Sequence, residues 1–154
     1  MQDLMQLNHD FLQQQTRLIC SSYAHLTGRR LWENETGDMA SRLFEADFAV
    51  LSHDTRPEPV FNYANRTAMR LFAMDWDEIT RLPSRYSAEP MLREERAGFL
   101  ERVSRYGFID DYSGIRIAKD GRKFMIENAT VWNLLADDGR LCGQAAMIPQ
   151  WKML

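Results

Sequence analysis

The chain reads as an α+β domain with an antiparallel sheet, and three observations support this. Two Asp-Gly pairs, Asp120-Gly121 and Asp138-Gly139, separate three extended, partly apolar runs at 107–119, 122–133 and 140–149. Asp-Gly between such runs signals a hairpin, because both turn residues tolerate positive φ. Apolar residues recur at helical spacing in 3–26 and again in 90–106. Two short runs rich in β-formers, 48–52 and 60–63, lie between them, for five strands in all.

Taken in order, Leu4, Leu7, Phe11 and Leu18, with Met5, Leu12, Ile19, Tyr23 and Leu26, form the broad stripe of an amphipathic helix that Gly28 ends. Such a stripe suits packing on the helix's own domain and equally a dimer helix across the outer sheet face. Asp38–Glu45 is a short helix with Met39, Leu43 and Phe44 inward. Phe48–Ser52 and Val60–Tyr63 are strands joined through the turn chemistry of His53 to Pro59. Asn65 caps a helix facing inward through Ala68, Met69 and Phe72, and Asp75-Trp76-Asp77-Glu78 has capping-box form. Pro90 opens a longer helix with Leu92, Phe99, Leu100 and Val103 as its apolar positions, and Gly107 stops it.

A two-residue loop at Asp120-Gly121 would set Ile117 opposite Phe124, Ile115 opposite Ile126, Ser113 opposite Asn128, Asp111 opposite Thr130 and Ile109 opposite Trp132. The second turn would place Ala145 opposite Trp132 and Met147 opposite Thr130. Tyr112, Met125, Ala129, Val131, Ala146 and Ile148 then share the other face. If the first face is interior, Ser113, Asn128 and Thr130 form a polar cluster among Ile115, Ile126, Trp132 and Met147, with Phe99 and Val103 supplied by the long helix. These nine are the candidate ligand contacts. Buried polar groups need partners, which a ligand, a backbone group, a water or one another could supply. Asp111 is the one charged residue on that face, so a small, mostly neutral ligand is expected.

At 154 residues the chain suits one domain, with 45% hydrophobic and 27% charged residues typical of a soluble protein. A net charge of −3 gives no basic face for nucleic acid. No apolar run is long enough for a membrane span, and the start lacks a signal-peptide pattern. Cys20 and Cys142 are far apart and unpatterned, as expected of free thiols in the cytoplasm. Asp110-Asp111 and Asp137-Asp138 are poor acid–base pairs, since neighbouring strand residues point to opposite faces and the second pair lies in a turn. No nucleophile elbow or phosphate loop occurs. The expectation is therefore a non-catalytic domain. The alternatives are a small cavity-type hydrolase or isomerase, with Asp111 its only acid–base candidate, and a purely structural dimerisation module.

The element order resembles the PAS fold, a five-stranded antiparallel sheet with helices on one face. "FNYANRTAMRLFAMDWDEI" (61–79) and "AKDGRKFMIENATVW" (118–132) carry that likeness. More narrowly, "LFEADFAVLSHD" (43–54), "LPSRYSAEPMLREERAGFL" (82–100), "GFIDDYSGIRI" (107–117) and "ATVWNLLADDGRLCGQAA" (129–146) resemble the MEKHLA domain, a PAS-like module. The resemblance implies a PAS-like domain over 38–150 behind an N-terminal helical extension, 1–37. It also implies a sensory or regulatory role exercised through a small molecule, a homodimer formed by the N-terminal helix and outer sheet face, or a signalling partner protein. Covalent flavin chemistry in light-sensing relatives needs a cysteine in an Asn-Cys-Arg-Phe-Leu-Gln stretch, and 81–91 has none. Haem in sensory relatives hangs from a histidine on the long helix, and 90–106 has none either. The cofactor is left unknown.

Overall fold

The computed structural model describes residues 8–88 and 93–154. Its elements are α1 (His9–Thr27), α2 (Met39–Phe44), β1 (Ala49–His53), β2 (Phe61–Ala64), α3 (Arg66–Phe72), α4 (Trp76–Ile79), a 3₁₀ turn (Ser84–Ser87), α5 (Arg93–Tyr106), β3 (Phe108–Ile117), β4 (Lys123–Leu135), β5 (Leu141–Ile148) and β6 (Gln150–Met153). The strands form one antiparallel sheet in the order β2-β1-β5-β4-β3. This is the PAS-like arrangement expected, with one addition. Past Pro149 the chain runs on in the same direction as β6 and pairs with β4 from Phe124 to Glu127, where β5 does not reach.

The caps anticipated from sequence hold the helices. Gly28, at φ 71°, ends α1 as anticipated, whereas its N-cap is Asn8, a position in the interior of the expected helix over 3–26. The expected start of α1 at residues 3–7, and that of α5 at Pro90 and Leu92, lie outside the described residues. Asp75 and Glu78 close a capping box on α4. Asn65 does more than cap. Its side-chain oxygen accepts from Ala68 N and Val50 N at 3.0 Å each, and its amide donates to the carbonyls of Leu43 (3.0 Å) and Phe48 (2.8 Å). One side chain thereby ties α2, β1 and α3 together.

Two cores sandwich the sheet. On the inner face, Phe44, Leu51, Phe61, Met69, Phe72 and Ile79 pack with Phe124, Ile126, Ala129 and Ile148. On the outer face, Leu12, Ile19 and Tyr23 of α1 pack with Val50, Tyr63, Trp132 and Leu134. Tyr23 meets Trp132 edge-on at 4.9 Å, and Trp132 Nε1–H donates to the Ile19 carbonyl at 3.2 Å. Of the two placements open to α1, this chain shows the one on its own sheet. The outer face expected to be available for a homodimer is covered by the chain's own helix.

The β4–β5 register is as expected, with Thr130 opposite Met147 and Trp132 opposite Ala145. The β3–β4 register is not. Ile117 pairs with Lys123 and Gly114 with Ile126, while Ile109 pairs with Val131 and Phe108 with Trp132. The loop is longer than two residues: Ala118 N donates to the Arg122 carbonyl, leaving Lys119, Asp120 and Gly121 at the tip, with Gly121 at φ 87°. Two compensating bulges follow. One sets two β4 residues, Glu127 and Asn128, against Ser113; the other sets Asp110 and Asp111 of β3 against Thr130. Asn128 adopts φ 53°, a conformation asparagine tolerates better than most residues. Each bulge exchanges the faces of all that follows it. Phe124 and Ile126 point inward before the first bulge, and Ala129 and Val131 after it.

Candidate functional site

Between the inner sheet face and the helical layer lies a cavity of about 220 Å³. Its apolar walls include Leu51, Phe61, Phe72, Ile126, Val131 and Ile148. Phe99 of α5 meets Tyr112 of β3 edge-on at 5.4 Å and closes one side. The 3₁₀ turn closes another, held because Ser87 Oγ–H donates to the Ser84 carbonyl and Ala88 bridges to Arg116. Polar groups sit at both ends. Arg116 pairs in register with Phe124 near the hairpin tip, whereas Gln144 and His53 pair with each other toward the far end of β4. Gln144 Nε2–H donates to Asn133 Oδ1 at 3.3 Å, and His53 Nδ1 lies 2.8 Å from the Asp54 carbonyl, placing its proton there.

Arg116 is the unusual member. Strand alternation from Tyr112 and Gly114 turns it inward, where its guanidinium lies 5.7 Å from the centre of the Tyr112 ring. Burial lowers its pKa from the ordinary arginine value, opposed only by the Tyr112 hydroxyl. A guanidinium stays protonated through such a shift, so the strand holds a partly desolvated positive charge.

A family model for the MEKHLA domain matches residues 13–153. The chain belongs to the MEKHLA domain family. The matched span takes in most of α1 as well as the sheet, so the helix over the outer face lies within the MEKHLA match. No curated protein matches the sequence. Among solved structures, a PAS domain from Colwellia psychrerythraea superposes with a TM-score of 0.60 at 14% identity, covering 75% of this chain and 92% of its own. A light-oxygen-voltage domain studied with a flavin analogue gives 0.58 at 14% identity, covering 77% and 85%. The fungal blue-light photoreceptor Vivid, as its light-state dimer, gives 0.57 at 12% identity, covering 84% and 91%. At these identities the likeness establishes the PAS/LOV fold and nothing finer.

The longer loop and the bulges redistribute the nine expected contacts of this MEKHLA domain. Ile126 and Phe99 line the cavity. Val103 packs beside it with Ile109 and Val131. Thr130, Trp132 and Met147 lie on the opposite face, where Trp132 is in the α1 core and Met147 packs against it. Ile115 alternates with Gly114 and Arg116 and so also points away from the cavity. Ser113 and Asn128 are exposed, and the structure does not bring the polar cluster together. Asp111 is exposed and pairs with Arg102 at 2.8 Å, outside the cavity walls. Tyr112, Val131, Ala146 and Ile148, grouped together in sequence on the other face, are the ones that line the cavity. The residue that went unnoticed is Arg116, although its signal was present: an arginine at an alternating position between Ile115 and Ile117 of a two-sided strand.

Cys20 lies in α1 and Cys142 packs against the outer core, so neither reaches the cavity. Burial, with Glu35 adding to it, pushes the Cys20 thiol up to about 12. Among the described residues no group of three or more His, Cys, Asp or Glu could hold a metal ion, and no helix is long and apolar enough to cross a membrane.

Proposed function

We propose that this MEKHLA domain is a cytoplasmic, non-catalytic sensory module that binds a small molecule between its sheet and helices. The observation that carries the reading is the cavity, with a mostly apolar wall and polar groups at its ends. That is the usual make-up of a ligand site. Its volume falls below the roughly 300 Å³ at which drug-sized pockets begin, so the ligand is a small metabolite. Occupancy would act through the 3₁₀ turn and α5, the elements that close the cavity, and so alter a partner protein. A homodimer through α1 and the outer sheet face would require α1 to exchange between two copies, since that face is already covered.

Native mass spectrometry of protein purified from cells should show a retained small molecule. The variant Ala146→Leu, which fills space in the cavity wall, should lose it while keeping the wild-type circular dichroism spectrum. Retention of the same molecule by that variant would place binding elsewhere.

A further inference from the structure

We propose that the cavity takes a small monocarboxylate, its acid group paired with Arg116 and its apolar body lying against Tyr112, Phe99 and Ile126. This rests on the cavity reading above and narrows it, replacing the neutral ligand expected from sequence with an anionic one.

Three features of the cavity point this way. Among the described residues Arg116 meets no carboxylate, and its partner is the face of Tyr112. Among the described residues no Asp or Glu occurs in the cavity walls. The other cation at the rim, Arg85, is committed to Glu58 at 2.7 Å, and His53 spends its Nδ1–H on the Asp54 carbonyl. A positive charge kept from full hydration without an opposing charge is destabilising, and evolution normally supplies a partner. Here the described walls do not, and a ligand that brings the partner charge meets the need.

The chemistry of one arginine selects among anions. Its planar fork matches the two coplanar oxygens of a carboxylate. A phosphate dianion would bring a second charge, and among the described residues the walls contain no lysine and no uncommitted second arginine to meet it. The surroundings of the guanidinium are aromatic and aliphatic, which suits an aryl or short alkyl acid over a hydroxylated one.

The test titrates the full chain with benzoate, phenylacetate and hexanoate, and with the matched amides benzamide, phenylacetamide and hexanamide, by calorimetry. At least one acid should bind saturably, and its amide about tenfold or more weakly, as expected for loss of a charge-assisted pair. Arg116→Gln should abolish that preference while still binding the amide. If the glutamine variant does not fold, Arg116→Lys keeps the charge without the fork and should lose most of the preference. Equal binding of acid and amide to the wild type, or a preference that survives in the variant, overturns the carboxylate assignment and leaves the cavity reading intact. No binding by any of the six compounds overturns both.

Discussion

Removing the Asn65 side chain should be a severe truncation that leaves the cavity walls untouched. Asn65 is fully buried, and Asn65→Ala removes four hydrogen bonds at once: those of the Val50 and Ala68 N–H groups and the Phe48 carbonyl, and one at the Leu43 carbonyl, which keeps the Ala46 N–H. A buried polar group left unsatisfied costs about 1–3 kcal/mol. Relaxation and entering water relieve some of this, so the expected loss is about 4 kcal/mol. That is a large share of the 5–15 kcal/mol typical of a domain. At about 2–4 °C per kcal/mol for this size, the melting temperature should fall by roughly 10 °C. Urea unfolding followed by circular dichroism measures it. Asn65→Asp sharpens the argument, because it keeps the accepting oxygen and loses only the two donors. Near neutral pH its carboxylate would face two carbonyls and destabilise at least as much as alanine. On acidification the carboxyl gains a proton it can donate, and the deficit relative to wild type should shrink. A loss below about 1 kcal/mol for Asn65→Ala would show that the four bonds do not hold α2, β1 and α3 together.

Three further outcomes are expected. Gly143 has φ 154°, and a Cβ there would sit 2.2 Å from the His53 carbonyl oxygen. Gly143→Ala should therefore force β1 and β5 apart and cost on the order of 3 kcal/mol in chemical denaturation; a near-neutral result would show that the sheet yields there. At Asn128, held at φ 53°, Gly should be tolerated and Leu should lose about 1–2 kcal/mol through backbone strain. Leu there should leave ligand affinity unchanged, and a selective loss of affinity with stability intact would return Asn128 to the binding site. Cys20 has its pKa raised to about 12 from an ordinary 9. Its folded form binds the proton more tightly than the unfolded form, so its contribution is complete below pH 9 and is lost as pH rises from 9 toward 12. The slope is at most about 1.4 kcal/mol per pH unit. Cys20→Ala should flatten the alkaline limb of the stability curve, and identical limbs would contradict the burial argument.

Local chemistry in the sequence was enough to place most elements. Asn65, Asp75, Gly28 and Gly107 act where their side chains or their freedom at positive φ are needed, and each reads directly from residue type and neighbours. The β4–β5 pairing was legible for the same reason, because one Asp-Gly turn sets it. Strand β6 was not, because four residues beyond a proline carry too little alternation to stand out from a chain end. The placement of α1 was undecidable from its stripe, since an apolar face states that it will be covered and not by what. The partner sits more than 100 residues away, in Trp132 and Leu134.

The candidate site was misplaced for a specific reason. Alternation carries face assignments along a strand only while the residue count on both strands stays equal, and β3–β4 breaks that equality twice. The two bulges cancel, so pairing outside them runs in a single register and gives no hint of the shift between them. Asn128 makes the first bulge tolerable, and the Asp110–Asp111 pair takes the second, with Arg29 on Asp110 and Arg102 on Asp111 in solvent. The consequence is chemical. With a two-residue loop and uniform alternation, Ser113, Asn128 and Thr130 would line the interior and Arg116 would stand in water. With the three-residue loop and the bulges, polar side chains leave the interior, Tyr112 and Val131 enter it, and among the described residues the strong polar group near the hairpin end of the cavity is a guanidinium. The anion preference proposed for this domain is thus set by the backbone irregularities of one hairpin. Deleting Thr130, just past the first bulge, should reverse the faces of the remainder of β4 and drive Trp132 inward. That protein should fail to fold, whereas deletion of a loop residue at Asp137 should be tolerated.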